Sequence, residues 1–449
     1  MHRKRALAAV IVVVMGLGVL AWGDVVSSNY GPSAAYQKVI AVVKSTELSK
    51  DQKLAALTGP ASAEETRMTA LYQMELLDPA KTMQAAVGVF RAKGSSRLTK
   101  LGMGHYMLER GRPGKEGFPK GFVKEFAGYL LGEILDGGQK EFLRTLPERS
   151  MTAVGEYAYL ASHFDGYKGV DFAPFKDARL VPILVKCLDA PDNIYSENQQ
   201  SCMRGKPGES TGRNTARQQI PVALALLGDA RAIKALRRVL DGHHDWYERN
   251  NAAYALGMLE PRGDHAKLAA SMRARKVTGA NGQLDGANDR YHHLYAFGRG
   301  LLARGDDAGI EFMAFEYSIY ASRDGLSEVA YMLEERLKVL KGVKSVKLAG
   351  FFKQAFANER VTGLLLMDKA KVKVDDRGDS VYDFTRAGPR IEGMFDSICG
   401  LIEANGLTSL RATIGQIARR SASKVIRRRG EQCAAKLKAK GERRAAGDR

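Results

Sequence analysis

The sequence is short of acids and of cysteine. It has 50 Asp and Glu against 69 Lys and Arg, a formal net charge of +19. A chain this unbalanced is drawn to anionic partners, although net charge alone does not say which ones. Four cysteines occur in 449 residues: Cys187, Cys202, Cys399 and Cys433. None stands directly after the N-terminal apolar run, so a lipid-modified N-terminal cysteine is not expected. No nucleic-acid-binding module or stacking-aromatic pattern is present, so nucleic acid is the least favoured anion. Catalytic motifs are also missing. "GESTG" (Gly208 to Gly212) matches the spacing of a hydrolase nucleophile elbow, but no strand pattern precedes it, so the context fails. "SASK" (Ser421 to Lys424) has no Lys-Thr-Gly partner, and "RGD" at Arg377 to Asp379 reads as an acidic turn.

The N-terminus carries an address. "MHRKR" is basic, and Ala6 to Trp22 is an uncharged run before Gly23 and Asp24. A basic start, a short apolar core and small residues at its end describe a secretory signal, with Ala21 and Gly23 placed for a cut before Asp24. The run is also at the lower limit of a membrane-spanning helix, so an uncleaved anchor is the rival reading. Gly16 and Gly18 and the short length favour cleavage. Either way the bulk of the chain is expected outside the cytoplasm, in the periplasm or cell envelope. An oxidising compartment makes the cysteines disulfide candidates, either as two local pairs (Cys187 with Cys202, Cys399 with Cys433) or in another connectivity. Four buried thiols are the alternative.

The body of the chain repeats. "DARLVPILVKCLDA" from Asp177 and "DARAIKALRRVLDG" from Asp229 align at Asp-Ala-Arg, at Leu184 with Leu236, and at Leu188-Asp189 with Leu240-Asp241. A looser copy begins at Gly305-Asp306 and a fainter one at Gly263-Asp264. The aspartates at 177, 229, 264 and 306 give the irregular period of a helical-hairpin array. Ile220, Ala223, Leu224 and Leu227 form one helical stripe, and Ile233, Leu236 and Leu240 form the next. Gly228 is suited to end the first helix in the left-handed region, and Asp229 to cap the second. Gly257 is expected to repeat the role of Gly228. A hairpin that cannot bury its stripe alone must stack on its neighbours.

These residues resemble HEAT-like repeats, most closely the short kind also seen in bilin lyases. The match is good over 177–260 and weaker to 320. The resemblance implies an all-α fold, an α-solenoid of HEAT-like hairpins, and a binding or scaffolding role. It supplies no catalytic set and implies no cofactor.

Around this core the expected organisation is a signal or anchor at 1–23, a helical region at 34–145, the repeats at 146–345, a second helical region at 346–418 and a basic tail at 419–449. Three interruptions stand out: a polar insertion from Asp192 to Asn214, a Gly/Asn-rich loop from Val277 to Arg290, and a small β-hairpin near 371–384. His243, His244, Asp245 and Glu248 cluster near a turn and are weak metal candidates; a polar turn between repeats explains them as well. The tail holds twelve Lys and Arg against three acids. Leu410, Ile414, Ile417, Ser421 and Val425 read as one apolar stripe, which predicts a terminal helix docked as an end cap with a solvated basic face. Arg419, Arg420, Arg427, Arg428, Arg429, Lys436 and Lys438 are the candidates for contact with an anionic lipid or envelope polymer. Two functions stay open. One is an exported non-enzymatic scaffold holding another protein on the solenoid surface. The other is a solenoid-based enzyme or cofactor-handling protein of the lyase-like type.

Overall fold

The structure is a computed structural model. It describes residues 34–58, 74–75, 78–110, 117–135, 148–163, 170–188, 216–242, 246–274, 285–313, 326–367 and 384–447. All regular secondary structure among them is helical. The apolar run at 6–22, Cys202 with the insertion at 192–214, and the hairpin expected at 371–383 lie outside the described residues. Phe384, the last residue of that expected hairpin, instead opens a long helix. Residues 285–290, read as part of a Gly/Asn-rich loop, are helical too. Helix propensity is a weak prior that tertiary packing overrides.

The chain divides into two packed bodies, Met1–Ala235 and Leu236–Arg449. The first contains α1 (Ala34–Lys44), α2 (Lys50–Thr58), α3 (Pro79–Arg91), α4 (Arg97–Arg110), α5 (Phe122–Leu135), α6 (Glu148–Ser162), α7 (Leu180–Leu188) and α8 (Ala216–Leu227). Helix α3 starts where Asp78 caps it, accepting from the Lys81 N–H at 3.1 Å, with Pro79 in the first turn. Its buried face ends in Phe90, which meets Phe122 edge-to-face at 5.2 Å. Phe126 extends the aromatic core to Phe175. A Cβ on Gly104 would lie 2.0 Å from the Phe126 ring, so the missing side chain lets α4 and α5 close. Between α4 and α6, His105 Nε2 and Glu156 Oε2 approach to 2.7 Å, almost wholly buried.

Helix α9 (Ile233–Asp241) crosses the division. The second body continues with α10 (Trp246–Leu259), α11 (His265–Ala274), α12 (Asp285–Ala303), α13 (Gly309–Met313), α14 (Leu326–Leu340), α15 (Leu348–Ala357), α16 (Glu359–Leu366), α17 (Phe384–Asn405), α18 (Arg411–Arg420) and α19 (Lys424–Gly447). Two glycine contacts set its tightest crossing. A Cβ on Gly300 of α12 would fall 2.0 Å from the Tyr254 carbonyl oxygen, and one on Gly257 of α10 would fall 2.2 Å from the Phe297 carbonyl oxygen. Gly257 is therefore a packing glycine inside a helix and does not repeat Gly228. Gly228 does adopt the left-handed conformation expected of it, with φ 72°.

The aspartate turns share one geometry. Asp177 Oδ1 accepts the Arg179 N–H at 2.9 Å, Asp229 the Arg231 N–H at 2.9 Å, and Asp306 the Ala308 N–H at 3.1 Å. In the first two, the arginine folds back to make a two-nitrogen contact with its own aspartate, which holds that carboxyl below the usual range. Arg231 Nη2 also donates to the Ala178 carbonyl at 3.1 Å, tying one turn to the turn before it. Asp264 departs from the pattern: it lies inside a short 3-10 helix, Arg262–Asp264.

Gly300→Ala is expected to cost about 1–3 kcal/mol or more, because its methyl meets backbone and cannot push a flexible side chain aside. Gly400→Ala, in the open middle of α17 with nothing within 4 Å, should instead stabilise by about 0.5–1 kcal/mol. Urea midpoints of both variants check the pair.

Candidate basic corner

The basic C-terminal segment is a packed helix, as the apolar stripe beside it led one to expect. Helices α17, α18 and α19 pack together, with Ile398, Ile402, Leu410, Ile414, Ile417, Ile426 and Leu437 in one buried cluster. The single stripe expected through Ser421 and Val425 breaks in two. Helix α18 ends at Arg420, and Ser421 Oγ and the Ala422 N–H donate to the Leu365 and Leu366 carbonyls at 3.1 and 2.9 Å. These bonds sew the turn to the end of α16. Ser423 Oγ then caps α19 by accepting from the Val425 and Ile426 N–H groups. The restart rotates Val425 outward, where it is 53% exposed, and turns Ile426 into the core.

Inner and outer cations are sorted by α17. Ser423 Oγ donates to Glu392 Oε1 at 2.6 Å, Arg429 contacts Asp396 and Glu403, and Lys436 Nζ reaches Glu403 Oε2 at 3.0 Å. Lys440 Nζ donates to the Glu403 carbonyl oxygen at 2.6 Å. Burial works against ionisation of Glu403, but the hydrogen bonds from Arg429 and Lys436 outweigh it and hold the carboxyl below the usual range. Arg427 donates to the Ser421 and Ala422 carbonyls and closes the turn. Lys438 makes a surface pair with Glu442.

Of the seven cations singled out from the sequence, Arg427, Arg429, Lys436 and Lys438 are thus engaged within the fold. Arg419, Arg420 and Arg428 are exposed and make no ion pair among the described residues. Lys424 joins them, exposed and equally unpaired. These four frame the α18–α19 corner around Val425. Sequence reasoning missed Lys424, which sat in a dismissed motif, and placed Val425 on the inner stripe. The signal that would have found both is the serine pair Ser421 and Ser423, which marks a helix stop and a new cap.

Arg419 and Arg420 lie in the last turn of α18, where cations complement the helix dipole. Lys424 and Arg428 lie at the opening of α19, whose first turn has no acid. Helix termini of this polarity favour anions, so cations there sharpen an already positive end. Glu431 is the next outward acid along α19, and beyond it the outer face becomes mixed.

The other candidates are placed as follows. His243, His244 and Asp245 lie outside the described residues, while Glu248 is buried in the first turn of α10. Among the described residues no group of three or more His, Cys, Asp or Glu could hold a metal ion. Cys187 is buried in α7, and burial pushes its thiol up to about 12. Cys399 and Cys433 are buried in α17 and α19. All three described cysteines are free thiols. No helix among the described residues is long and apolar enough to cross a membrane.

No family model matches the chain, and no curated protein or solved structure is significantly similar to it.

Glu403→Gln should loosen α19 by about 1 kcal/mol, the value of charged hydrogen bonds reduced for partial exposure. A carboxyl held low in the folded state stabilises fully above its unfolded value, about 4.3 for Glu, and that share is lost as pH falls through the folded value. Chemical-denaturation midpoints should therefore differ between wild type and variant at pH 7 and converge in acid.

Proposed function

We propose that this protein is an exported, non-enzymatic scaffold built from HEAT-like helical hairpins, and that the α18–α19 corner docks it on an anionic lipid surface. The repeated aspartate turns and the Arg231–Ala178 link support hairpin-on-hairpin stacking. The basic start and apolar run at 6–22 support export. Another protein is the expected occupant of the remaining solenoid surface.

The observation that carries the docking role is the set Arg419, Arg420, Lys424 and Arg428 around exposed Val425. Four unpaired cations give a local positive field that steers the chain toward anionic headgroups. Each basic side chain near such a surface contributes about 1 kcal/mol, falling off within a Debye length. An apolar side chain among them suits the headgroup boundary, where cation stems and small apolar groups share one layer. The Ser421–Ser423 turn is fixed by backbone bonds, so little conformational entropy is lost on contact.

Full-length protein should co-sediment with phosphatidylglycerol-containing vesicles at low salt, leave them at high salt, and ignore phosphatidylcholine vesicles. Arg419→Glu, Arg420→Glu and Arg428→Glu together should weaken binding by at least about 100-fold, as three contacts of about 1 kcal/mol are lost, with helical content unchanged. Undiminished binding by that triple variant would remove the corner from the account.

A further inference from the structure

The geometry points to a disulfide between Cys399 and Cys433 that fastens α19, and with it the basic corner, to α17. Both residues are fully buried, one on each helix. Cys433 Sγ lies 4.0 Å from the Cys399 carbonyl oxygen. The Cys399 side chain is also within hydrogen-bonding reach of Cys433, and that contact, then burial, pushes its thiol far above its ordinary value.

The register holds the pair from both sides. Ser423 meets Glu392, Cys433 meets Cys399, and Lys436 meets Glu403, so α17 and α19 run in the same direction with the cysteines between polar contacts. A slip of one turn would break all three contacts. Ile398, Ile402, Ile426 and Leu437 in the same buried cluster offer no chemistry that would use a thiol. With no metal-binding group among the described residues, what remains is the pair itself. Two neighbouring buried thiols on separate helices that pack against each other suit a cross-link.

The bond closes by thiol–disulfide exchange with an external small-molecule or protein disulfide. One cysteine thiolate attacks that disulfide and releases one external thiol, giving a mixed disulfide. The second cysteine thiolate displaces the other external thiol. Two cysteine thiols are oxidised, the external disulfide is reduced to two thiols, and two protons pass to the leaving groups. The Cys433 contact and burial disfavour the Cys399 thiolate in the folded body, so exchange through it is slow there and faster while the chain folds or α19 is open. The proposal rests on the exported reading for its oxidant. The experiment supplies the oxidant itself, so failure of one is separable from failure of the other.

The test is to refold reduced full-length protein in glutathione and glutathione disulfide, block remaining thiols, and map peptides without reduction. The expected result is a dominant Cys399–Cys433 linked peptide. On the same sample, dithiothreitol should lower the urea midpoint of wild type and leave that of C399A/C433A unmoved. Cys399 and Cys433 both recovered as blocked thiols, or either joined to Cys187 or Cys202, would overturn the proposal. The map on wild type decides the matter even where the double variant fails to fold.

Discussion

Glu403 is the constraint on which the C-terminal architecture depends. Its carboxylate takes Arg429 and Lys436, and its backbone carbonyl takes Lys440, so three turns of α19 are referred to one residue of α17. With Asp396 and Glu392 it forms a line of carboxylates that meets α19 along its length. That line decides which side chains of a very basic helix face inward. Once Arg429 is satisfied inside, Arg428 must face out. Once Ser423 caps α19, Lys424 and Val425 are left at the vertex. The free cations of the corner are thus a consequence of the fold, and the docking role proposed for them follows from the same contacts.

The rest of the molecule is held by simpler means. An aspartate that accepts the N–H of the residue two places on starts three of the helical segments. Arginines then connect one turn to another. Arg231 reaches the Ala178 carbonyl in the first body, and Arg304 reaches the Glu260 carbonyl at 2.6 Å and His265 Nε2 at 2.6 Å in the second. Glycine governs distance where helices cross. Gly257 and Gly300 bring backbones together at a spacing that no Cβ permits. Among the described residues, some cations thus join turns, some pair with α17, and others face solvent.

How much of this was legible depended on the range of the interaction concerned. The helical class, the left-handed Gly228 and the Asp229 cap are set within a few residues, and each could be read from the chain. Gly257 looked identical to Gly228 along the sequence, but its role is set by Gly300, more than forty residues away. Val425 continued the apolar period of Ile414 and Ile417, yet the serines at 421 and 423 stop one helix and start another, which shifts the phase. The basic residues were visible as a group. Their partition was not, because Asp396 and Glu403 lie on another helix and only packing brings them to Arg429.

Hydrogen–deuterium exchange of the full-length protein in solution, resolved to peptides of α17 and α19, addresses the central claim most directly. If α17 sorts the cations of a docked α19, amides of residues 426–441 will be protected to a degree comparable with those of residues 391–402, without any lipid present. Exchange of 424–447 at the rate of an unstructured peptide, with α17 still protected, would show a loose basic tail and contradict the account.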